Sequence, residues 1–165
     1  MGIKAAGIVG KDASGIVTSL RKAYCDEWFA YYQYWVGARV IRGPSRAAAI
    51  KELVEHAEDE LRHADMLAKR IIQLGGALVL KPEDWYAHAA CGYAPPEDPF
   101  VRAVLAQNLT AERCAIGVYD GLIREVGGKD AATCDIITEI LQDELEHEED
   151  IEGLLYDLDA LMKKG

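Results

Sequence analysis

Apolar residues recur three and four positions apart along four long stretches of the chain, the spacing that lays one buried stripe along a helix. The first stripe runs through Leu20, Tyr24, Tyr31, Tyr34, Ala38 and Ile41, and the second through Leu53, Ala57, Ala64, Leu67, Ile71 and Leu74. The third takes Leu105, Ala115, Tyr119, Leu122 and Val126, with the polar Asn108 at a stripe position; the fourth takes Ile137, Ile140, Ile151, Leu154, Leu158 and Leu161. Proline inside a helix costs about 3 kcal/mol, so the five prolines mark where helices stop and start. With the Gly-Gly pairs at 75–76 and 127–128 they predict helices over about 14–41, 45–74, 99–126 and 130–164, Asp130 standing as N-cap of the last. The segment 77–98, rich in Pro, Trp, Tyr and Ala, is too long for an ordinary bundle turn and reads as a crossover joining two antiparallel hairpins. No two-residue alternation competes with this pattern. The expected fold is a single all-α domain over 1–165, an antiparallel four-helix bundle with a long second-to-third crossover.

Each stripe is interrupted by one glutamate: Glu27, Glu60, Glu112 and Glu144. Two of them are followed at i+3 by a histidine, His63 after Glu60 and His147 after Glu144. In an antiparallel hairpin, residues equidistant from the turn sit at one height. The midpoint of 27 and 60 falls on Gly43-Pro44, and that of 112 and 144 on Gly128. Each hairpin therefore brings one Glu and one Glu-x-x-His to a common level, about 16 residues or roughly 25 Å from its turn. The halves also repeat a tyrosine seven residues after the first glutamate, Tyr34 after Glu27 and Tyr119 after Glu112. A lone helical glutamate is ordinarily a solvated surface residue. Four on matched stripes at one height are a different matter, because bare buried carboxylates each cost several kcal/mol. Two divalent cations balance four carboxylates, and two neutral imidazoles complete the ligand set. Mixed carboxylate and imidazole ligands suit iron or manganese better than the Cys/His sets of structural zinc.

Composition narrows the rest. The chain has 165 residues, half of them hydrophobic, with 18 Lys and Arg against 28 Asp and Glu and a formal charge of -10. Such an acid surplus argues against a phosphate backbone as partner, so no nucleic acid is expected. No apolar run approaches the length of a membrane span, and the N-terminal stretch is broken by Lys4, Gly7, Gly10 and Lys11, giving no signal-type apolar core. Ala6 stands where a myristoylation motif wants Ser or Thr; a cytoplasmic protein without membrane partner is expected. Nine acids, Glu144 among them, crowd into 143–159 without one Lys or Arg. They read as a solvated face or, around a cavity, as a surface that draws in cations. Cys25, Cys91, Cys114 and Cys134 form no CxxC pair. Cys25 and Cys134 read as core residues; Cys91 and Cys114, the latter two residues after Glu112, are open between inert thiols and a functional pair. His56 reads as a surface or satisfied histidine, with an outer place around the metals as the alternative, and His88 is uninformative. The aromatic band Tyr24, Trp28, Tyr31, Tyr32, Tyr34 and Trp35 reads as core and interface packing.

With these residues the chain resembles the ferritin-like superfamily of di-iron carboxylate proteins, over nearly its whole length. The resemblance implies that Glu60 and Glu144 bridge two metals, that Glu27 and Glu112 are terminal ligands, and that His63 and His147 complete the set. Tyr34 matches a tyrosine that hydrogen-bonds the site in bacterioferritins. Haem is not expected, because Leu61 stands where bacterioferritins carry the haem methionine. The four-cysteine domain of rubrerythrins is absent, and the first long helix lacks the histidines that Dps proteins use at a subunit interface. Ala90-Cys91-Gly92 and Glu112-Arg113-Cys114-Ala115-Ile116 are similar to the Dps-like, or thioferritin, branch. That branch implies a candidate redox pair in Cys91 and Cys114, two iron ions per subunit, with manganese as the other candidate metal, and a cage of twelve subunits. Its implied activity is oxidation of Fe(II), preferably by hydrogen peroxide, with storage of the ferric product and protection against oxidative stress. A non-storing di-metal peroxidase or manganese catalase-like enzyme is the enzymatic alternative, and a metal-free helical interaction module the non-enzymatic one.

Overall fold

Helices form where the four stripes predict them. In the computed structural model, which describes residues 3–163, a short α1 (Ile3–Val9) and a 3-10 turn (Gly10–Asp12) lead directly into α2 (Ala13–Val40). Then follow α3 (Arg46–Gln73), a short α4 (Pro82–His88), α5 (Val101–Val126) and α6 (Ala131–Met162). The long helices fall within two residues of their predicted bounds, except that the predicted end of the fourth, at 164, lies outside the described residues. No helix among the described residues is long and apolar enough to cross a membrane.

The α3 end follows its sequence signal. Gly75 has φ +83°, Gly75 N–H donates to Ile72 O at 3.0 Å and Gly76 N–H to Ile71 O at 2.9 Å, closing the left-handed cap. A Cβ on Gly76 would stand 2.5 Å from Val17 Cγ1, so this turn packs backbone directly against α2. At the other end Arg42, in the α2–α3 turn, exchanges two backbone hydrogen bonds of 2.7 Å with the strap entering α5, from its N–H to Pro99 O and from Val101 N–H to its own carbonyl. Helix α5 therefore starts beside the α2–α3 turn, at the end opposite to the α3 terminus. The crossover must travel the length of the bundle, which explains its size. It also carries α4, with Pro82 at its first position and Glu83 and Asp84 in its first turn.

The stripes pack into two apolar clusters. One holds Leu20, Leu67, Ile71, Leu122, Ile137 and Ile140; the other holds Ala38, Leu53, Val104, Leu105, Ile151 and Leu158. The glutamates and histidines of the stripes lie at the level between them. Two expectations need correction. Leu161, predicted on the buried stripe, is exposed, because the last turns of α6 run beyond the residues that would cover them. Asp130 occupies the α6 N-cap, but its carboxylate caps no backbone N–H. It instead receives Arg70 Nη2 at 2.6 Å and the Thr133 hydroxyl, all three residues being buried.

Candidate metal centre

All six stripe residues converge. Glu27 comes from α2, Glu60 and His63 from α3, Glu112 from α5, Glu144 and His147 from α6, and none is more than 3% exposed. Their ligand atoms fall into two groups, each drawn within 4.8 Å: Glu27, Glu60, His63 and Glu144, then Glu60, Glu112, Glu144 and His147. Glu60 and Glu144 belong to both groups. Two cation positions that share two carboxylates and hold one terminal glutamate and one histidine each is the arrangement these groups describe.

The side chains around the layer fix its orientation. The Tyr34 hydroxyl donates to Glu112 Oε1 and the Tyr119 hydroxyl to Glu27 Oε1, crossing between the hairpins. One oxygen of each terminal glutamate is so occupied, and the other, Glu112 Oε2 or Glu27 Oε2, has no hydrogen-bond partner. His63 presents Nδ1 at 3.3 Å from Glu27, Glu60 and Glu144, and its Nε2 meets Asp143 Oδ2 at 3.0 Å. Asp143 is held in turn by Arg62 at 2.6 Å. His147 presents Nδ1 at 3.5 Å from Glu60 and Glu144 and 3.7 Å from Glu112, with Nε2 3.6 Å from Asp59. A carboxylate bonded behind the ring, as Asp143 is behind His63, sets tautomer and basicity in metal sites; His147 Nε2 has no hydrogen-bond partner among the described residues. Tyr119 extends the site beyond the tyrosine expected from the sequence; its signal was the seven-residue repeat. Asp143 and Asp59 gave none, since each is one more acid on an acidic face.

His56 departs from expectation. It is 3% exposed, and neither ring nitrogen has a hydrogen-bond partner. Its ring stacks on His147 at 4.0 Å between centroids, 26° from parallel. Burial, helped by the charge on His147, pushes its pKa down to about 4, so the ring is neutral near pH 7.

Without cations the layer balances itself with protons. Burial, reinforced by Glu60 at Glu27 and by Glu144 at Glu112, raises both terminal glutamates well above the carboxylate range. Burial alone would lower His63 and His147, but the carboxylates facing them raise both far above the imidazole range. Burial also opposes ionisation of Glu60, yet the two histidines hold it below its usual range. Glu60 Oε1, both Glu144 oxygens and His147 Nδ1 are buried without hydrogen-bond partners. Unpaired ligand atoms drawn into two groups fit divalent cations, once the protons on the histidines are displaced. Cation binding is then expected to expel protons from Glu27, Glu112, His63 and His147 and to weaken as pH falls, because the raised groups hold protons more tightly the lower the pH. Titration calorimetry in buffers of different ionisation enthalpy reads this directly; proton uptake, or affinity that rises towards acid pH, contradicts it.

Cys91 and Cys114 are joined by a disulfide, with Cα atoms 5.8 Å apart. Cys91 lines a narrow cavity of about 20 Å³ together with Glu27, Glu60, Glu112 and Glu144, so the bridge flanks the layer from the crossover side. The loop carrying it is gripped by Asp26, whose carboxylate accepts the N–H groups of Ala90 (3.0 Å), Cys91 (2.7 Å) and Gly92 (3.3 Å). Cys25 is buried in the core and Cys134 packs against its edge, both as free thiols. In the aromatic band, Tyr24 and Tyr34 are core residues, whereas Tyr32 and Trp35 are exposed and stack on each other.

The ferritin-like domain family matches residues 17–161. Over 148 residues the chain is 38% identical to a "DNA protection during starvation protein" of Pyrococcus furiosus, covering 88% of this chain and 80% of that protein. Among solved structures it superposes, with a TM-score of 0.95 and 42% identity over 98% of this chain and 97% of the other, on a dodecameric thioferritin, the bacterioferritin-related protein of Bacteroides fragilis. Dps from Thermosynechococcus elongatus shares the fold at a TM-score of 0.81 and 18% identity, over 86% of this chain and 90% of that one.

Proposed function

The chain belongs to the ferritin-like family, and from that premise we propose that it is a di-iron ferroxidase that oxidises Fe(II) with hydrogen peroxide, or with oxygen, and stores the ferric product in a homo-oligomeric cage of twelve subunits in the cytoplasm. Dps-like ferritin membership supports iron storage and protection against oxidative stress as the general role. The observation that carries the finer reading is the buried layer in which two ligand groups share Glu60 and Glu144. Such a layer holds two cations at the short spacing that two-metal chemistry needs, about 3.5–4 Å. Iron is here both substrate and occupant: two Fe(II) yield one electron each to hydrogen peroxide, which takes up two protons and leaves as two waters.

The chain's own residues do the positioning. Glu60 and Glu144 hold both ions, Glu27 with His63 and Glu112 with His147 hold one each, and Tyr34 and Tyr119 keep the terminal carboxylates turned inward. Burial raises both tyrosines well above the phenol range, with Glu112 and Glu27 adding to it, so they remain protonated donors. Cys91 and Cys114 act beside this layer as a redox pair. In the dithiol form they can give two electrons and two protons to peroxide and close to the disulfide.

One purified sample decides among the readings when its particle size and metals per chain are measured together after loading with Fe(II). A cage of about 220 kDa of protein, twelve chains of 18.1 kDa, that accumulates iron well beyond two ions per chain is the expected result. A small oligomer that binds two metals and stores none points instead to a non-storing di-metal peroxidase or catalase-like enzyme. Protein that binds no metal removes the proposal.

A further inference from the structure

Beyond the six-residue layer, a second set of metal-type ligands stands at its border. Glu52 and His56, one helical turn apart on α3, face Asp150 on α6, and one ligand atom from each lies within 4.8 Å of the others. His56 Nε2 is 3.6 Å from Asp150 Oδ2. No side chain among the described residues hydrogen-bonds the His56 ring: it stacks on His147 on one face, and the Tyr34 ring meets it edge-on at 5.2 Å. A buried imidazole with both nitrogens unpaired is costly and requires a partner. Glu52 touches one cation of the protein, Lys51 at 3.5 Å, but that ammonium is exposed and lies closer to Glu55, at 2.8 Å.

The three residues open onto a cavity of about 340 Å³ on the α3–α6 face. Seven acidic side chains line it, Asp59, Glu146 and Asp150 among them, and no Lys or Arg does. His147 lines the same cavity, so it joins solvent to the back of a residue of the proposed di-iron layer.

We propose that Glu52, His56 and Asp150 form a third cation site, for a divalent transition ion such as Fe(II), Mn(II) or Zn(II). His56 Nε2 and one oxygen from each carboxylate are its protein ligands. One imidazole with two carboxylates matches these ions in ligand type, and the cavity leaves the remaining coordination positions to water. The acidic wall concentrates cations at the site. Its place against His147 makes it a holding position for an ion moving between the cavity and the buried layer. That transfer role rests on the ferroxidase reading; the existence of the site does not.

The test is anomalous diffraction from crystals of the intact protein soaked with Mn(II) at low molar excess, beside the double variant Glu52→Gln/Asp150→Asn. The expected result is a peak among Glu52, His56 and Asp150 that the double variant loses while peaks in the Glu60–Glu144 layer persist. In solution, equilibrium binding of Mn(II) to the variant should fall by one ion per chain. Peaks in the layer with none beside His56, or a peak there that survives the double substitution, overturn the third site. A peak beside His56 with none in the layer keeps the third site and overturns the di-iron reading instead.

Discussion

Replacing Glu60 with alanine abolishes rapid Fe(II) oxidation if the layer works as proposed. Glu60 belongs to both ligand groups, so its loss strips a ligand from each cation position at once, whereas loss of Glu27 or Glu112 strips one. Two divalent cations would then face three carboxylates in a buried layer, and the uncompensated charge opposes filling of either position. Changes to groups that only support metal ligands commonly cost 10- to 100-fold, so losing a shared ligand should lower the initial rate by at least about 100-fold. The measurement is the absorbance rise of the ferric product after mixing anaerobic Fe(II)-loaded protein with hydrogen peroxide. Circular dichroism and particle size confirm that the variant still folds and assembles, as expected when the removed group is a buried carboxylate with an unpaired oxygen. Oxidation at the parent rate by a folded Glu60→Ala variant would sink the site assignment.

Much of this centre was legible because two periodicities meet in it. The 3-4 stripe puts Glu27, Glu60, Glu112 and Glu144 on buried faces, and the turn positions put them at one height; neither depends on details of packing. What escaped depends on partners distant in sequence. His56 lies beside the stripe rather than on it, and its burial comes from the His147 ring on α6. Asp26, next to a ligand, looks like one more surface acid until the crossover loop folds back over it. The short α1 hides behind Gly7 and Gly10, whose spacing denies it a stripe. Helix α4 did carry start signals in Pro82, Glu83 and Asp84, masked by the prolines and aromatic residues that make its surroundings read as loop. Leu161 shows the opposite error: the stripe continues in sequence after the structure that would bury it has ended.

The largest expected effect on stability lies away from the metals, at the Arg70–Asp130 pair. Arg70 is 5% exposed and Asp130 3%; the guanidinium donates to Asp130 at 2.6 Å and to the Thr133 hydroxyl at 2.8 Å. Burial disfavours a charged Asp130, but Arg70 and the Thr133 hydroxyl hold its pKa below the usual carboxylate range. The sign follows: its contribution is fully present above the unfolded carboxylate range and is lost as pH falls through the lowered value, so at neutral pH it is complete. Asp130→Ala leaves the Arg70 charge buried without its counter-ion, a change that costs about 3–5 kcal/mol. For a chain of this size that is a fall in melting temperature of roughly 10 °C, read by calorimetry on metal-free protein. Asp130→Asn keeps an acceptor for Arg70 and should lose less. The exposed Arg102–Asp159 pair is the control, with N–O contacts of 2.8 and 3.2 Å but solvent around both partners, and Asp159→Ala should barely move the transition. Equal melting temperatures for Asp130→Ala and Asp159→Ala would show that water and the hydrogen bond Arg70 Nη1 already donates to Gln73 Oε1, at 3.0 Å, suffice to hold the charge. Because α6 begins at Ala131, the pair ties its first turn to the end of α3 and so sets the height at which Glu144 and His147 meet Glu60. A destabilised Asp130→Ala variant is therefore also expected to bind metal more weakly, although Asp130 lies far along α6 from every ligand.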